Sequence, residues 1–240
     1  KAVHKGRGRR LVDLPGHPFR RRSFWRSRGS SATAPGGHPL LREPIALPDG
    51  RTVFRFALPA PGAAYLAEHR VGGMAIAPAA TLLEVAVSAA DRAGLPTALA
   101  DLSFDAPLPL DGPREVTVTL DGDTVAIDSR GGDGAWTRHL TAKLSADAPA
   151  GWTPDAATEA VDPAVLYGWL DDGGIDLGPG FRRVVEARRG PDGATVTISG
   201  VDPAGHRVHP TVLDAMLQAL AVVTLGRGDG VMRIPSGAGR

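Results

Sequence analysis

Cysteine is absent from this chain of 240 residues, which excludes disulfides, thiolate zinc sites, iron–sulfur clusters and a cysteine nucleophile. Charge of one sign is also scarce. With 27 Lys and Arg against 26 Asp and Glu the formal net charge is +1, so no overall field draws nucleic acid. No apolar run reaches the roughly 18 residues that a membrane span needs. Behind the charges of the opening KAVHKGRGRR there is no apolar core, so no secretory signal is expected and the cytoplasm is the default compartment. Lysine is confined to Lys1, Lys5 and Lys143, an Arg-for-Lys bias that fits GC-rich coding rather than function.

What is present indicates a folded protein. Hydrophobic residues make up 42% and charged residues 22%, inside the globular range and sufficient for a core of one large or two small domains. The 31 glycines and 21 prolines favour a β-rich chain with many turns over one of long helices. Residues 1–37 stand apart, holding Arg7, Arg9, Arg10, Arg20, Arg21, Arg22, Arg26 and Arg28 before a linker-like SSATAPGG. With stacking aromatics limited to Phe19, Phe24 and Trp25, a solvated connector is expected here rather than a nucleic-acid patch.

From His38 onward the periodicity becomes strand-like. Strands are expected at 52–58, 115–120, 124–129 and 136–145, separated by Asp-Gly and Gly-rich turns. Pro78–Ala90 reads as a helix apolar on nearly every face, opened by its proline and stopped by Gly94 and Pro96. After an Ala- and Pro-rich connector the order recurs: a short helix at 163–170, strands at 182–188 and 194–199, then an apolar helix at 211–224. This predicts an α+β chain of two similar units, each a sheet wrapped around one central helix.

Two residues carry candidate chemistry. His69 precedes a glycine pair and then Pro78, whose helix start offers free N–H groups to negative charge. A histidine beside such a terminus can take a proton while the N–H groups hold an enolate-like oxygen; a purely structural His69 fits the same pattern. Asp214 lies inside the apolar helix four residues before Gln218, on one face. If buried, its carboxyl is raised toward the range of a general acid; a solvent-facing Asp–Gln pair is the other reading. No metal constellation is expected, because His206 and His209 lack a third ligand at recognisable spacing. GxSxG, P-loop and Rossmann fingerprints are absent.

Several stretches together resemble the dehydratase domains of modular type I polyketide synthases. His69-Arg70-Val71-Gly72-Gly73-Met74-Ala75-Ile76-Ala77-Pro78 fits HxxxGxxxxP, and His209-Pro210-Thr211-Val212-Leu213-Asp214-Ala215-Met216-Leu217-Gln218 fits HPxxLDxxxQ. Leu177-Gly178-Pro179-Gly180-Phe181 matches the core of GYxYGPxF, although its tyrosines are missing. Trp136–Leu144 is similar to the WxxHAxGxL strand, and Val12–Trp25 to the linker after an acyltransferase. Glu68 stands where Asp is common, and Ala79 follows the motif proline in place of glycine.

The resemblance implies a double hot dog: a linker at 1–37, a first hot dog at 38–146, a connector at 147–162 and a second hot dog at 163–240. One strand is expected beyond the last helix, which would leave that second half incomplete. The implied reaction is loss of water from a (3R)-3-hydroxyacyl chain on the phosphopantetheine arm of an acyl carrier protein. His69 would be the base and Asp214 the acid, with Gln218 orienting Asp214. Gly73 and Pro78 would polarise the thioester at the helix start, and Leu177, Gly178, Pro179 and Phe181 would position the substrate. No cofactor of its own is implied, and neither nucleic acid nor membrane is a partner. The expected partners are the carrier protein, neighbouring acyltransferase and ketoreductase domains, and a second copy in a homodimer. A double-bond isomerase or pyran cyclase, and a non-catalytic scaffold, are the alternatives.

Overall fold

Between Arg114 and Asp121 the residues Val116, Val118 and Leu120 alternate with Glu115, Thr117 and Thr119, and only the first three are buried. A period of two with one buried face is a strand lying on a core. The computed structural model describes residues 37–147, 158–191, 193–225 and 236–238. In chain order its strands and helices are β1 (Ile45–Ala46), β2 (Thr52–Leu58), β3 (His69–Val71), β4 (Met74–Ala77), α1 (Ala79–Arg92), β5 (Ala98–Phe104), β6 (Leu108–Pro109), β7 (Arg114–Asp121), β8 (Thr124–Arg130), β9 (Trp136–Ser145), β10 (Glu159–Val161), α2 (Pro163–Asp172), β11 (Ile175–Leu177), β12 (Val184–Arg189), β13 (Ala194–Ile198), α3 (Pro210–Thr224) and β14 (Gly237–Ala238). A 3-10 helix, Pro61–Glu68, leads into β3. Among the described residues no helix is long and apolar enough to cross a membrane.

Antiparallel pairing orders the largest sheet β1-β2-β7-β8-β9-β5-β14. Helix α1 lies against β5, β7 and β8, burying Leu82, Val85, Ala86, Ala89 and Ala90. Phe54, Val116, Val118, Val125, Ile127 and Leu140 meet it from the sheet with no more than 2% exposure. Helix α3 packs on β12 and β13, which form a second sheet with β10, and also against α1. Two helices therefore sit back to back, each with its own sheet, in the two-unit α+β arrangement the sequence order predicts.

Three differences bear on the site. The linker expected at 1–37 falls almost wholly outside the described residues, as does much of the connector at 147–162. Its end, Glu159–Val161, is strand β10 paired with β12. Strand β5 was not expected, because its alternation is broken by an irregularity between Ala100 and Ser103 with Asp101 at φ 48°. Strand β14 joins β5 in the first sheet and adds nothing to the second. The four short strands β11-β3-β4-β6 form a third sheet, and this one brings the two halves together.

Candidate active site

His69 opens β3, which turns into β4 through Gly72 and Gly73. Val71 pairs with Met74, so the turn holds two residues, both with positive φ (58° and 80°). That is the type I′ geometry for which glycine is favoured. Nothing would crowd a Cβ at either position, so the glycines serve the turn and not a close approach. Gly73 is exposed at the hairpin tip and is not among the residues lining the cavity described below. The expected carbonyl-polarising role of its N–H is thereby corrected: the turn carries it away from the site.

The hairpin returns the chain so that Ile76 faces back toward His69. Its carbonyl lies 3.2 Å from His69 Nδ1. A carbonyl only accepts, so Nδ1 carries the hydrogen and Nε2 keeps its lone pair. Burial pushes the imidazole below its ordinary value, against upward pulls from the Asp214 charge and from Ile76. The ring stands edge-on to Phe181, 5.5 Å between centroids.

The loop after β11 is fixed to β3 and to the residue before it. Leu177 stands opposite His69 in the β11–β3 pairing, and the Gly178 N–H donates to the Glu68 carbonyl at 2.8 Å. The Gly180 N–H donates to Glu68 Oε2 at 2.7 Å. A Cβ on Gly178 would come within 2.7 Å of Glu68 Cβ, which explains glycine there. Gly178, Pro179 and Phe181 are absent from the cavity lining, whereas Leu177 is present. In place of the expected substrate contacts, Gly178 is tied to Glu68, the Phe181 N–H to the Gly178 carbonyl and the Phe181 carbonyl to Gln218, so the loop is a brace.

Asp214 comes from the other half. His209 caps α3, its Nδ1 accepting from the Thr211 N–H at 3.3 Å, and the helix buries Thr211, Asp214, Ala215, Gln218 and Val222 on one stripe. Asp214 is 9% exposed and Gln218 7%, which decides between the two sequence readings in favour of the buried pair. Gln218 Nε2 donates to Asp214 Oδ2 at 3.0 Å and to the Phe181 carbonyl at 3.1 Å. Burial pushes the Asp214 carboxyl above the usual range, opposed by His69 and by the Gln218 hydrogen bond.

His69, Pro78, Leu177, Asp214 and Gln218 line one cavity of about 540 Å³. Apart from Thr224 the remaining wall is apolar, and sequence reasoning mostly missed it. Leu102 and Phe104 come from β5, Trp169 and Leu170 from α2, Leu217, Leu220 and Ala221 from α3, and Gly237 and Ala238 from β14. Ala79 also lines it, at the first turn of α1. No side chain caps that helix, so its first N–H groups and dipole stay available to a developing negative charge. A base shifted toward its neutral form and an acid shifted toward its protonated form, on one largely apolar cavity, can take a proton from carbon and give one to a departing oxygen.

A second buried cluster was also missed. His38 Nε2 and His206 Nδ1 both hydrogen-bond Glu84 Oε2, at 2.9 and 3.0 Å, while Ser88 Oγ and the Arg207 N–H donate to Oε1 at 2.7 and 3.0 Å. The ligand-type atoms of His38, Glu84 and His206 lie within 4.8 Å of one another, so His206 has the ligand-type neighbours its sequence spacing did not reveal. His38 Nδ1 accepts from the N–H groups of Leu40 and Leu41, which puts its hydrogen on Nε2, pointing at Glu84. With four donors on one carboxylate this is a clasp tying the first half to the loop before α3.

Comparison with known proteins agrees with the geometry. The family model for "Polyketide synthase dehydratase domain" matches residues 38–131, and that for "Polyketide synthase dehydratase N-terminal domain" matches 146–240. The dehydratase domain from the terminal module of the rifamycin polyketide synthase is 30% identical, with a TM-score of 0.68 over 79% of this chain and 78% of that one. The erythromycin dehydratase is 28% identical, with a TM-score of 0.67 over 79% and 76%. The chain belongs to the polyketide synthase dehydratase domains and has their double hot dog fold.

Among curated relatives, erythronolide synthase EryA2 of Saccharopolyspora erythraea is 31% identical over 93% of this chain. Polyketide synthase GfsE of Streptomyces halstedii is 35% identical over 95%. The chain spans 7% of the length of each.

Proposed function

We propose that this chain removes water from a (3R)-3-hydroxyacyl thioester held on the phosphopantetheine arm of an acyl carrier protein, leaving the 2-enoyl thioester. The observation that carries this reading is the placement of His69 and Asp214, from different halves, on one apolar cavity. His69 Nε2 takes the proton from the α carbon. Asp214 passes its proton to the β-hydroxyl, the carbon–oxygen bond breaks, and water departs. Transfer of the captured proton from His69 to Asp214 then restores both groups. The start of α1 polarises the thioester carbonyl in the transition state, where the negative charge develops.

Water leaves with no net oxidation or reduction, so the chemistry as proposed calls on no cofactor beyond the carrier arm. In this reading the domain works within a longer synthase beside acyltransferase and ketoreductase domains, as a homodimer. Its test is mass spectrometry of carrier-bound 3-hydroxyacyl substrate incubated with the protein. Loss of one water supports the proposal. A mass-neutral product would point to isomerisation or cyclisation, and an unchanged substrate to a scaffold.

A further inference from the structure

The acid and base leave the buried hydroxyl of Tyr167 unexplained. Tyr167, on α2, is 7% exposed and reaches toward the interior. Its oxygen accepts from the Val184 N–H at 2.9 Å, at the start of β12. A backbone N–H only donates, so the phenol hydrogen must turn elsewhere. It points to Gln218 Oε1 at 3.2 Å. On the other side of the amide the Phe181 carbonyl, which only accepts, takes one Gln218 N–H at 3.1 Å. The remaining N–H donates to Asp214 Oδ2.

We propose that Tyr167 is a positioning residue that locks the Gln218 carboxamide and thereby keeps the acidic proton of Asp214 on Oδ1, the oxygen Gln218 leaves free. The inference rests on the reading of Asp214 as the general acid. An oxygen that receives an N–H cannot also present a hydrogen to that donor, so Oδ2 is the acceptor and Oδ1 the source of the transferred proton. The lock has a direction because it starts at two backbone groups, Val184 N–H and Phe181 C=O, that cannot reverse. Burial raises the phenol further above its ordinary value, so the hydroxyl remains a donor at every working pH. The groups acting on Asp214 are His69 on β3, Gln218 on its own helix and Tyr167 on α2, whose ring lies beneath the Arg182 guanidinium at 5.2 Å.

Without the hydroxyl, Gln218 Oε1 loses its donor and the amide is held from the Phe181 side alone. The slackened amide donates less well to Asp214 Oδ2, which favours the protonated acid and no longer confines its proton to Oδ1. The test combines Tyr167→Phe and Gln218→Leu, singly and together, in the full chain. Infrared spectroscopy follows the protonated carboxyl band of Asp214, assigned by its loss in Asp214→Asn. In the Tyr167→Phe variant the midpoint of that band should rise by about one pH unit, equivalent to about 1.4 kcal/mol. Its kcat should fall about tenfold with KM unchanged.

In the Gln218→Leu background the same substitution should move neither readout, as expected of a residue acting only through Gln218. An unmoved midpoint, or equal effects in both backgrounds, would overturn the proposal. The infrared arm needs no turnover, so an inactive wild type would count against the dehydratase reading alone. Should Tyr167→Phe fail to fold, 3-fluorotyrosine supplies the second test. The chain has two tyrosines, so labelling in a Tyr65→Phe background marks Tyr167 alone. The stronger donor should shift the Asp214 midpoint down; no shift would refute the lock.

Discussion

Gly180 donates its backbone N–H to the Glu68 carboxylate at 2.7 Å across 112 positions of sequence. That bond, with Gly178 on the Glu68 carbonyl, fixes the loop after β11 to the residue preceding the base. Arg182 adds a tie, its Nε donating to the Leu177 carbonyl at 2.6 Å while Nη2 meets both Asp171 oxygens at 2.9 Å.

The brace has no room for a methyl group at Gly178, where an added Cβ would sit 2.7 Å from Glu68 Cβ. The Gly178→Ala variant should lose about 1–3 kcal/mol of stability through overpacking. Its kcat should fall while carrier binding holds, since the base shifts and the cavity does not close. Thermal melts with steady-state kinetics check this; an unaltered kcat would show that the loop does not position His69.

Replacing the base should stop the reaction without unfolding the chain. His69→Ala is expected to lower turnover by about 10²–10⁴-fold, and Asp214→Asn by a comparable amount, because each removes one proton transfer. Circular dichroism should remain native in both. Near-normal water loss from either variant would end its assignment.

Activity should follow a bell-shaped pH dependence with an unusual assignment of its limbs. It rises as His69 loses its proton, below the ordinary histidine value because of burial, and falls as Asp214, raised by burial, loses its own. The Asp214→Asn variant should lose the alkaline limb. Its acid limb should stay in place, since Asp214 is already uncharged over the range in which His69 titrates. An alkaline limb that survives in Asp214→Asn belongs to another group.

Glu84 governs stability. Burial would raise its carboxyl, but hydrogen bonds from His206 and His38 outweigh that and bring it to about 2, from an ordinary 4.5. A depressed folded-state value stabilises the protein above the unfolded value and loses that contribution as pH falls toward 2. The contribution is about 3 kcal/mol. Denaturant titrations between pH 6 and pH 3 should therefore show stability declining below about pH 4.5. In the Glu84→Gln variant the decline should be smaller from a lower start, because an amide cannot accept from four donors.

Local periodicity made α1, α3, β2 and β7 to β9 legible, each bounded by turn residues. The spacing of Asp214 and Gln218 showed a shared face, and burial needed the fold to decide it. Strand β5 was hidden because Asp101, at φ 48°, breaks its alternation, yet it supplies Leu102 and Phe104 to the cavity. The role of Glu84 was hidden because its histidine partners lie 46 and 122 positions away. The Gly178 and Phe181 motif was visible, but its work on Glu68 and His69 was not, since the contact exists only after β11 pairs with β3.

The hydrogen bond between His69 Nδ1 and the Ile76 carbonyl has a consequence for mutational tolerance. The group that sets the tautomer of the base belongs to the main chain, so no side-chain replacement at position 76 deletes it. Ile76, which lines the cavity, can vary in size or polarity and reshape it while the imidazole keeps the same nitrogen free. The shape of the cavity and the tautomer of His69 are thus uncoupled at one residue, so the first can change without disturbing the second.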